Sequence, residues 1–599
     1  MYPIPPSEHL VEMRKCRQCM IEFPITDKDM EFYSKVSPVL SIASFWKEVL
    51  RNEAEDFPVS ESTKSLIAEW KVKILETWAG NPSPAIAGTP FQKGVFLIPP
   101  PTLCPDCRQQ RRLAFRNERR LYKRKCDATG KDIISIYSPD KPYTVYHQDY
   151  WWSDAWDPMS YGREFDFRKS AMENFREIFD RIPKANLWIR PDMINCEYCN
   201  FWSYSKNCYM STASHHSENC LNTNTPVYCI SDIDGVFNIQ GNNIYECIKT
   251  TQCTNVFYSQ TCQICKNSWY LLDCIDCDEC FGCVWLKHKQ YYILNKRYTK
   301  IRFYIKISKI LSSTKEREKF LKEFLELKAT LPFRSTRNIA CEHLYGDDTM
   351  NSKNSYSVYD CMWLVNSKYA TISGGESTDL YDSINGWLNS QCCMETLSTI
   401  TISHSHFSVL TYNSNFIYYS FHIEWGNHLF LCTGLRNKSY CILNRQYTKE
   451  EYEVLVPRII EHMSSPQPSP EGESILGTDS SSLKERGIGG EVEWGEFFPA
   501  SMSPFGYNET VAQEYYPLSR EEVLWETSFW KEVPRYEAED FQKWNRENPQ
   551  SLRDSSFQKE LCSTGVTTKL HFLRLRRLSL RINFQILSTV FQMTFSTGQ

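Results

Sequence analysis

No stretch of the 599-residue chain approaches ~18 consecutive apolar residues, so no membrane-spanning helix is expected. The opening residues, MYPIPPSEHLVEMRK, lack the apolar core of a secretory signal, and a cytoplasmic protein is expected. Net charge is scarce too: −4 at pH 7, too little to mark the whole molecule as a polyanion binder. The middle of the chain is poor in helical periodicity; Asn, Ser, Thr, Tyr and Cys dominate there. Cysteine, by contrast, is plentiful. There are 25, many of them spaced Cys-x-x-Cys, and without an export signal they read as reduced thiols or metal ligands.

Cys16-Arg-Gln-Cys19 and Cys104-Pro-Asp-Cys107 have the chemistry of a four-cysteine zinc ribbon. Two residues between cysteines let a tight knuckle aim both sulfurs at one tetrahedral ion, and two knuckles fill its shell, which implies a structural site. The 84 residues between Cys19 and Cys104 are too many for an ordinary ribbon. Residues 44–57 (SFWKEVLRNEAEDF) recur at 528–541 with 12 of 14 positions identical, so 39–96 reads as an insertion looped out of a ribbon formed by 1–38 and 97–126.

After the second knuckle, nine of the 18 residues from Arg108 to Lys125 are Lys or Arg. Arg108, Arg111, Arg112, Arg116, Arg119, Arg120, Lys123 and Arg124 are therefore candidate contacts for nucleic acid or an acidic protein, against the alternative of a solvated helix face. Residues 127–194 follow as an aromatic segment and a helix. Ile134–His147 alternates like two short strands around a Pro-Asp-Lys-Pro turn. Tyr150–Asp157 reads as a sugar platform or as an aromatic plug with Asp154 or Asp157 capping backbone N–H groups. An amphipathic helix between Asp166 and Ile182 is expected to cap the array that comes next.

That array organises the chain. Residues 283–300 return at 432–449 with 10 of 18 positions identical, an offset of 149. Asn-x-x-Tyr recurs at Asn195, Asn255, Asn267, Asn366, Asn415 and Asn437. Such self-similarity predicts stacked units in two halves, 195–331 and 332–463, with Asn ladders at the turns, Tyr and Cys stacked inside, coils of ~20 residues and a helix closing each half (Lys315–Leu331, Glu450–Met463). Cys274, Cys277, Cys280 and Cys283 stand as packed thiols, a second zinc site or an iron–sulfur set, with His215, His216, His404 and His406 as supplementary ligands. Residues 464–493 read as a linker and 494–599 as a tail, partly disordered or aberrant.

The two Cys pairs, the run from Arg116 to Cys126, Trp151–Asp157, the Tyr-Thr-Lys449 word and Glu496–Tyr515 together resemble zinc-knuckle repeat proteins of candidate-phyla-radiation bacteria. Some of these carry a CaiB/BaiF CoA-transferase label, which no residue here supports. Members often continue into a further Cys-x-x-Cys finger; this chain has only Cys562 there. The expected fold is mainly β with accessory helices: a four-cysteine zinc ribbon, then a two-part β-solenoid-like array. The expected protein is a non-enzymatic Zn2+-binding scaffold. A carbohydrate-directed enzyme using Asp154, Asp157, Asp232 and Asp234, or a redox protein built on Cys274–Cys283, are the alternatives.

Overall fold

Every third residue along the array lies in the left-handed backbone region, and that single habit sets the architecture. Asn207, Met210, Ala213 and His216 have φ of 54°, 50°, 58° and 49°, and the pattern continues through both halves. A left-handed residue turns the chain sharply, so each three-residue side ends in a corner and four sides close a turn of twelve. Parallel bridges record that register: Lys206–Glu218–Ile230, Tyr209–Leu221–Ile233, Thr212–Asn224–Val236 and His215–Val227–Ile239. The expected coil of ~20 residues is corrected to twelve in the first half. In the second the spacing runs from 11 (Glu342 to Lys353) through 13 (Thr378 to Gln391) before settling at 12 (Asn427 to Ser439).

The computed structural model describes residues 8–38, 98–465 and 493–525, with breaks at 202–203, 333–334 and several positions between 360 and 383, together with 4, 91–92 and 95–96. Nearly all of the expected insertion, the linker and the tail beyond Trp525 lie outside the described residues. The chain is mainly β, with strands joined in a seven-stranded and a twelve-stranded sheet and few helices. It divides into two compact units, one of Met1–Ile133, Tyr137–Asn186 and Arg334–Lys531, the other of Ile134–Ile136, Leu187–Phe333 and Glu532–Gln599. Among the described residues no helix is long and apolar enough to cross a membrane.

One residue per side points inward, into a space four short sides leave narrow. Cys208, Ser211, Ser214 and Ser217 occupy it in one turn, Cys274, Cys277, Cys280 and Cys283 in another, and all are buried. Small side chains fit, and each carries a donor for carbonyls that water cannot reach. Cys208 Sγ donates to Lys206 O (3.4 Å) and Ser217 O (3.7 Å); Ser217 Oγ donates to His215 O (3.1 Å) and Pro226 O (3.0 Å). Thiol and hydroxyl thus do the same work at the same position, which keeps buried backbone acceptors paired. At the corners Asn side chains form the expected ladder, as in Asn243 to Asn255 (2.8 Å) and Asn255 to Asn267 (3.0 Å). Tyrosines, expected inside, stack on the outer corners instead: Tyr258 on Tyr270 at 4.8 Å, and Tyr204, His216 and Tyr228 in one column.

The 149-residue repeat marks the two ends of this stacking. Leu294-Asn295 and Leu443-Asn444 are paired left-handed residues that reverse the last strand into an antiparallel hairpin. The Asn side chain then replaces the next turn's backbone. Val284 N–H donates to Asn295 Oδ1 and Asn295 Nδ2 donates to Val284 O, both at 2.9 Å; Asn444 does the same for Thr433 at 2.8 and 2.7 Å. Helices follow at Lys300–Leu311 with Thr314–Thr330, and at Lys449–Ser464. The first of these went unforeseen.

The helix Ala171–Arg181, expected to cap the start of the array, instead belongs to the unit that holds the second half. There Phe179 meets Phe421 at 5.0 Å and the Glu493 carboxylate accepts from its first two N–H groups. The aromatic segment is a plug: Trp151 is buried, stacks on His422 at 4.3 Å and donates to Pro183 O, while Asp157 caps Met159 N–H. Strand Val145–Tyr146 pairs with Lys184–Ala185 and not within its own turn. Lys184 is buried beside Phe179, and burial pushes its ammonium down to about 7. Its unfolded value is near ~10.4, so from pH 7 to 10 the unfolded chain binds more protons and native stability rises, by at most ~1.4 kcal/mol per pH unit. Urea melts at pH 7 and 9 should show that gain in the native protein and its absence in Lys184→Met.

Candidate metal centre

The strands Leu10–Lys15 and Glu22–Thr26 form an antiparallel hairpin whose turn is the first knuckle. Cys16 N–H donates to Ile21 O (2.9 Å), Met20 N–H donates to Cys16 O (3.0 Å), and Met20 takes φ 64° to close the turn. The second pair departs from a ribbon. Cys104 is the N-cap of the helix Pro105–Leu113 and Cys107 lies in its first turn, with Pro105 at the position where its missing N–H costs nothing. A helix N-terminus, in place of a second hairpin, presents these sulfurs, and its dipole favours thiolate. Arg17 N–H to Thr102 O (3.1 Å) and Cys104 N–H to Cys16 Sγ (3.3 Å) lock the two pieces together.

All four sulfurs lie within 4.8 Å of one another, with Cys19 and Cys104 at 3.6 Å. A tetrahedral ion with bonds near ~2.3 Å needs sulfur–sulfur edges of about 3.8 Å, so this donor set fits a thiophilic divalent ion with a small contraction. Cys16 is held well below the usual thiol range by hydrogen bonds from Cys104 and Cys107, while Cys107 is pushed up by bonding to Cys104 and Cys16. The flanks of the long intervening segment meet: Ile98 N–H donates to Ser37 Oγ at 2.8 Å. A capping box of Thr26 with Asp29 starts the helix Asp27–Val36, and Asp29 and Glu8 together hold Lys368 at 2.7 and 2.5 Å.

Among the described residues no other group of His, Cys, Asp and Glu converges in this way. Cys274, Cys277, Cys280 and Cys283 are the four inward residues of one turn, and each thiol donates to two backbone carbonyls at 3.4–3.6 Å. Hydrogen bonding among the thiols themselves pushes Cys274 and Cys280 up and holds Cys277 well below the usual thiol range. Of the three expected readings, the pairing of these thiols with backbone carbonyls agrees with packed thiols. The histidines offered as further ligands are spent in packing: His216 between Tyr204 and Tyr228, His404 on Phe416, and His406 fully buried.

The basic run is largely turned inward. Arg108, Arg111, Arg112 and Arg116 are buried; Arg111 pairs with Glu395 (2.9 Å) and Glu496 (2.8 Å), and Arg112 with Glu395 (3.3 Å). Arg116 pairs with Glu118, and Arg124 with Asp127 and Tyr143 O. These carboxylates neutralise the run from inside, so five of the eight candidates, Arg124 among them, are not available to a polyanion; Arg119 and Arg120 remain exposed and Lys123 half-buried. Burial pushes Glu496 up, but Arg111 and Thr102 more than offset that and leave it lowered. Glu395→Gln should cost about 1.5–3 kcal/mol by removing the carboxylate that pairs with Arg112 and one of the two that pair with Arg111, which keeps Glu496, readable as a fall in the urea midpoint; a loss under ~0.5 kcal/mol would contradict the pairing. Sequence reasoning missed Glu395, which carries no local motif, and the pairing role of Glu496, which opens the Glu496–Tyr515 word. Of the carboxylates considered for glycan chemistry, Asp232 is fully buried against Asn238 and Asp157 serves as a cap.

No family model matches the chain, and no curated protein is similar to it. Among solved structures, a candidate acetyltransferase from Desulfovibrio desulfuricans G20 aligns over 34% of this chain and 63% of its own, at 7% identity and a TM-score of 0.09. A superposition that loose carries neither fold nor activity across.

Proposed function

We infer that the protein is a zinc-binding, non-enzymatic scaffold: a structural metal clef at Cys16, Cys19, Cys104 and Cys107 joined to a two-part β-solenoid. One observation carries this reading. Four sulfurs from a hairpin turn and a helix N-terminus lie within 4.8 Å of one another, enough to fill a tetrahedral shell and leave no position for substrate, as structural sites do. Zinc is the ion of choice because four thiolates suit its borderline softness and it brings no redox chemistry. A reducing, cytoplasmic setting agrees with array thiols that serve as buried donors, and the resemblance to zinc-knuckle repeat proteins is part of the same reading.

Polyanion contact, where it occurs, falls to Arg119, Arg120 and Lys123, so its salt dependence is modest, no steeper than about −2 to −3 in log–log slope. The test of the metal reading is cobalt(II) added to metal-stripped protein. One equivalent should give intense sulfur-to-cobalt charge transfer with tetrahedral bands. Weak octahedral absorbance would sink the four-thiolate assignment.

A further inference from the structure

The geometry of the four-cysteine clef occurs a second time, 110 residues beyond its first knuckle by number (16 to 126). Between strands Tyr122–Lys125 and Asp132–Ser135, Cys126 N–H donates to Lys131 O and Gly130 N–H donates to Cys126 O, both at 2.8 Å, with Gly130 at φ 70°. These are the bonds of Cys16 to Ile21 and Met20 to Cys16, with the positive φ at the same place. The crossing piece repeats as well. Asp127 N–H donates to Val145 O (3.0 Å) as Arg17 does to Thr102, and His147 N–H donates to Cys126 Sγ (3.2 Å) as Cys104 does to Cys16. His147 is then the N-cap of the helix Gln148–Trp152, as Cys104 is of Pro105–Leu113; the difference is that the His147 Nδ1 accepts from Asp149 N–H at 3.3 Å, where the Cys104 side chain makes no cap bond.

Six local relations therefore align Cys16, Cys19, Cys104 and Cys107 with Cys126, Thr129, His147 and Tyr150. Two of the four positions keep metal-ligating residue types; the other two do not. Thr129 is exposed like Cys19, and Cys126 is buried like Cys16. What an ion does in the first clef is done here by hydrogen bonds: the Asp127 carboxylate accepts from Val145 N–H at 2.6 Å and pairs with Arg124.

We propose that residues 122–152 are a second metal clef that has lost two of its four ligands and is now closed by hydrogen bonds, with Cys126 and His147 as the remaining pair. This rests on the metal reading of the first clef only for its ion; the backbone correspondence stands by itself. Restoring the missing sulfurs with Thr129→Cys/Tyr150→Cys supplies a three-sulfur, one-imidazole set, which suits a tetrahedral thiophilic cation.

The test is cobalt(II) titration and metal content of the full chain. The double variant is expected to take one more equivalent than the native protein, with added charge-transfer absorbance, and Cys126→Ser in that background is expected to remove the increment. Should the double variant not fold, Thr129→Cys alone offers three protein ligands and is expected to take the extra cobalt at least tenfold more weakly. A folded variant, by circular dichroism and melting temperature, that gains no metal overturns the proposal. So does a native-background Cys126→Ser protein that loses metal, since the native second clef is not expected to hold any. Because the score is the difference between variant and native, failure of the first clef to bind leaves a distinct result: no metal in the native chain.

Discussion

Replacing Cys104 and Cys107 together by serine should release the metal and melt the N-terminal part of its unit, while the first half of the array stays intact. Structural zinc contributes roughly 10–16 kcal/mol in isolated fingers. Here the loss is smaller, because Ser37–Ile98, Arg111–Glu496 and Lys368–Asp29 still hold the pieces together. The expected result is loss of hydrogen-exchange protection at 10–26 and 102–116, with protection kept at 206–293. Unchanged protection at the hairpin would show that packing alone maintains it.

Asn444→Ala is expected to have the second-largest effect, about 3–5 kcal/mol. Asn444 is fully buried, bonds to both backbone groups of Thr433 and to Pro158 O, and sits at φ 58°. Alanine leaves a buried donor and acceptor unpaired, at about 1–3 kcal/mol each, and adds roughly 1 kcal/mol for the left-handed backbone. Asn295→Ala should show a smaller loss at the end of the first half, because Asn295 is half-buried and bonds to Val284 alone. Asn437→Ala is the control. It too is left-handed, but it does not end a stack, so only the backbone part of the loss is expected. Equal losses at 437 and 444 would remove the terminator role.

The two termini were legible in the sequence because a long word repeats there, and its repetition reflects one geometrical task done twice. The twelve-residue turn was not legible. Only one residue in three points inward, and apolar residues such as Ile244, Val256 and Leu271 are interspersed there with Cys, Ser and Thr, so no hydrophobic period announces it. The signal that existed lay in the cysteines themselves: 196, 208 and 220, then 253, 265 and 277, each twelve apart.

Cys-x-x-Cys proved to have two physical causes. At Cys16–Cys19 it is a knuckle that turns two sulfurs to one point. At Cys274–Cys277 it is the length of one side of a turn, which places the sulfurs on successive walls. The basic run misled for a different reason. Its partners Glu395 and Glu496 are 284 and 385 residues away, and nothing local to Arg108–Arg116 foretells them.

The central claim is that one metal sits in the clef and none in the array. Metal analysis with an absorption spectrum, on protein purified without oxygen, tests it most directly when repeated on Cys104→Ser/Cys107→Ser. The expected result is one zinc per chain, no visible absorbance, and no metal in the variant. Iron with a broad visible band that persists in the variant would place the chemistry at Cys274–Cys283 and contradict the account.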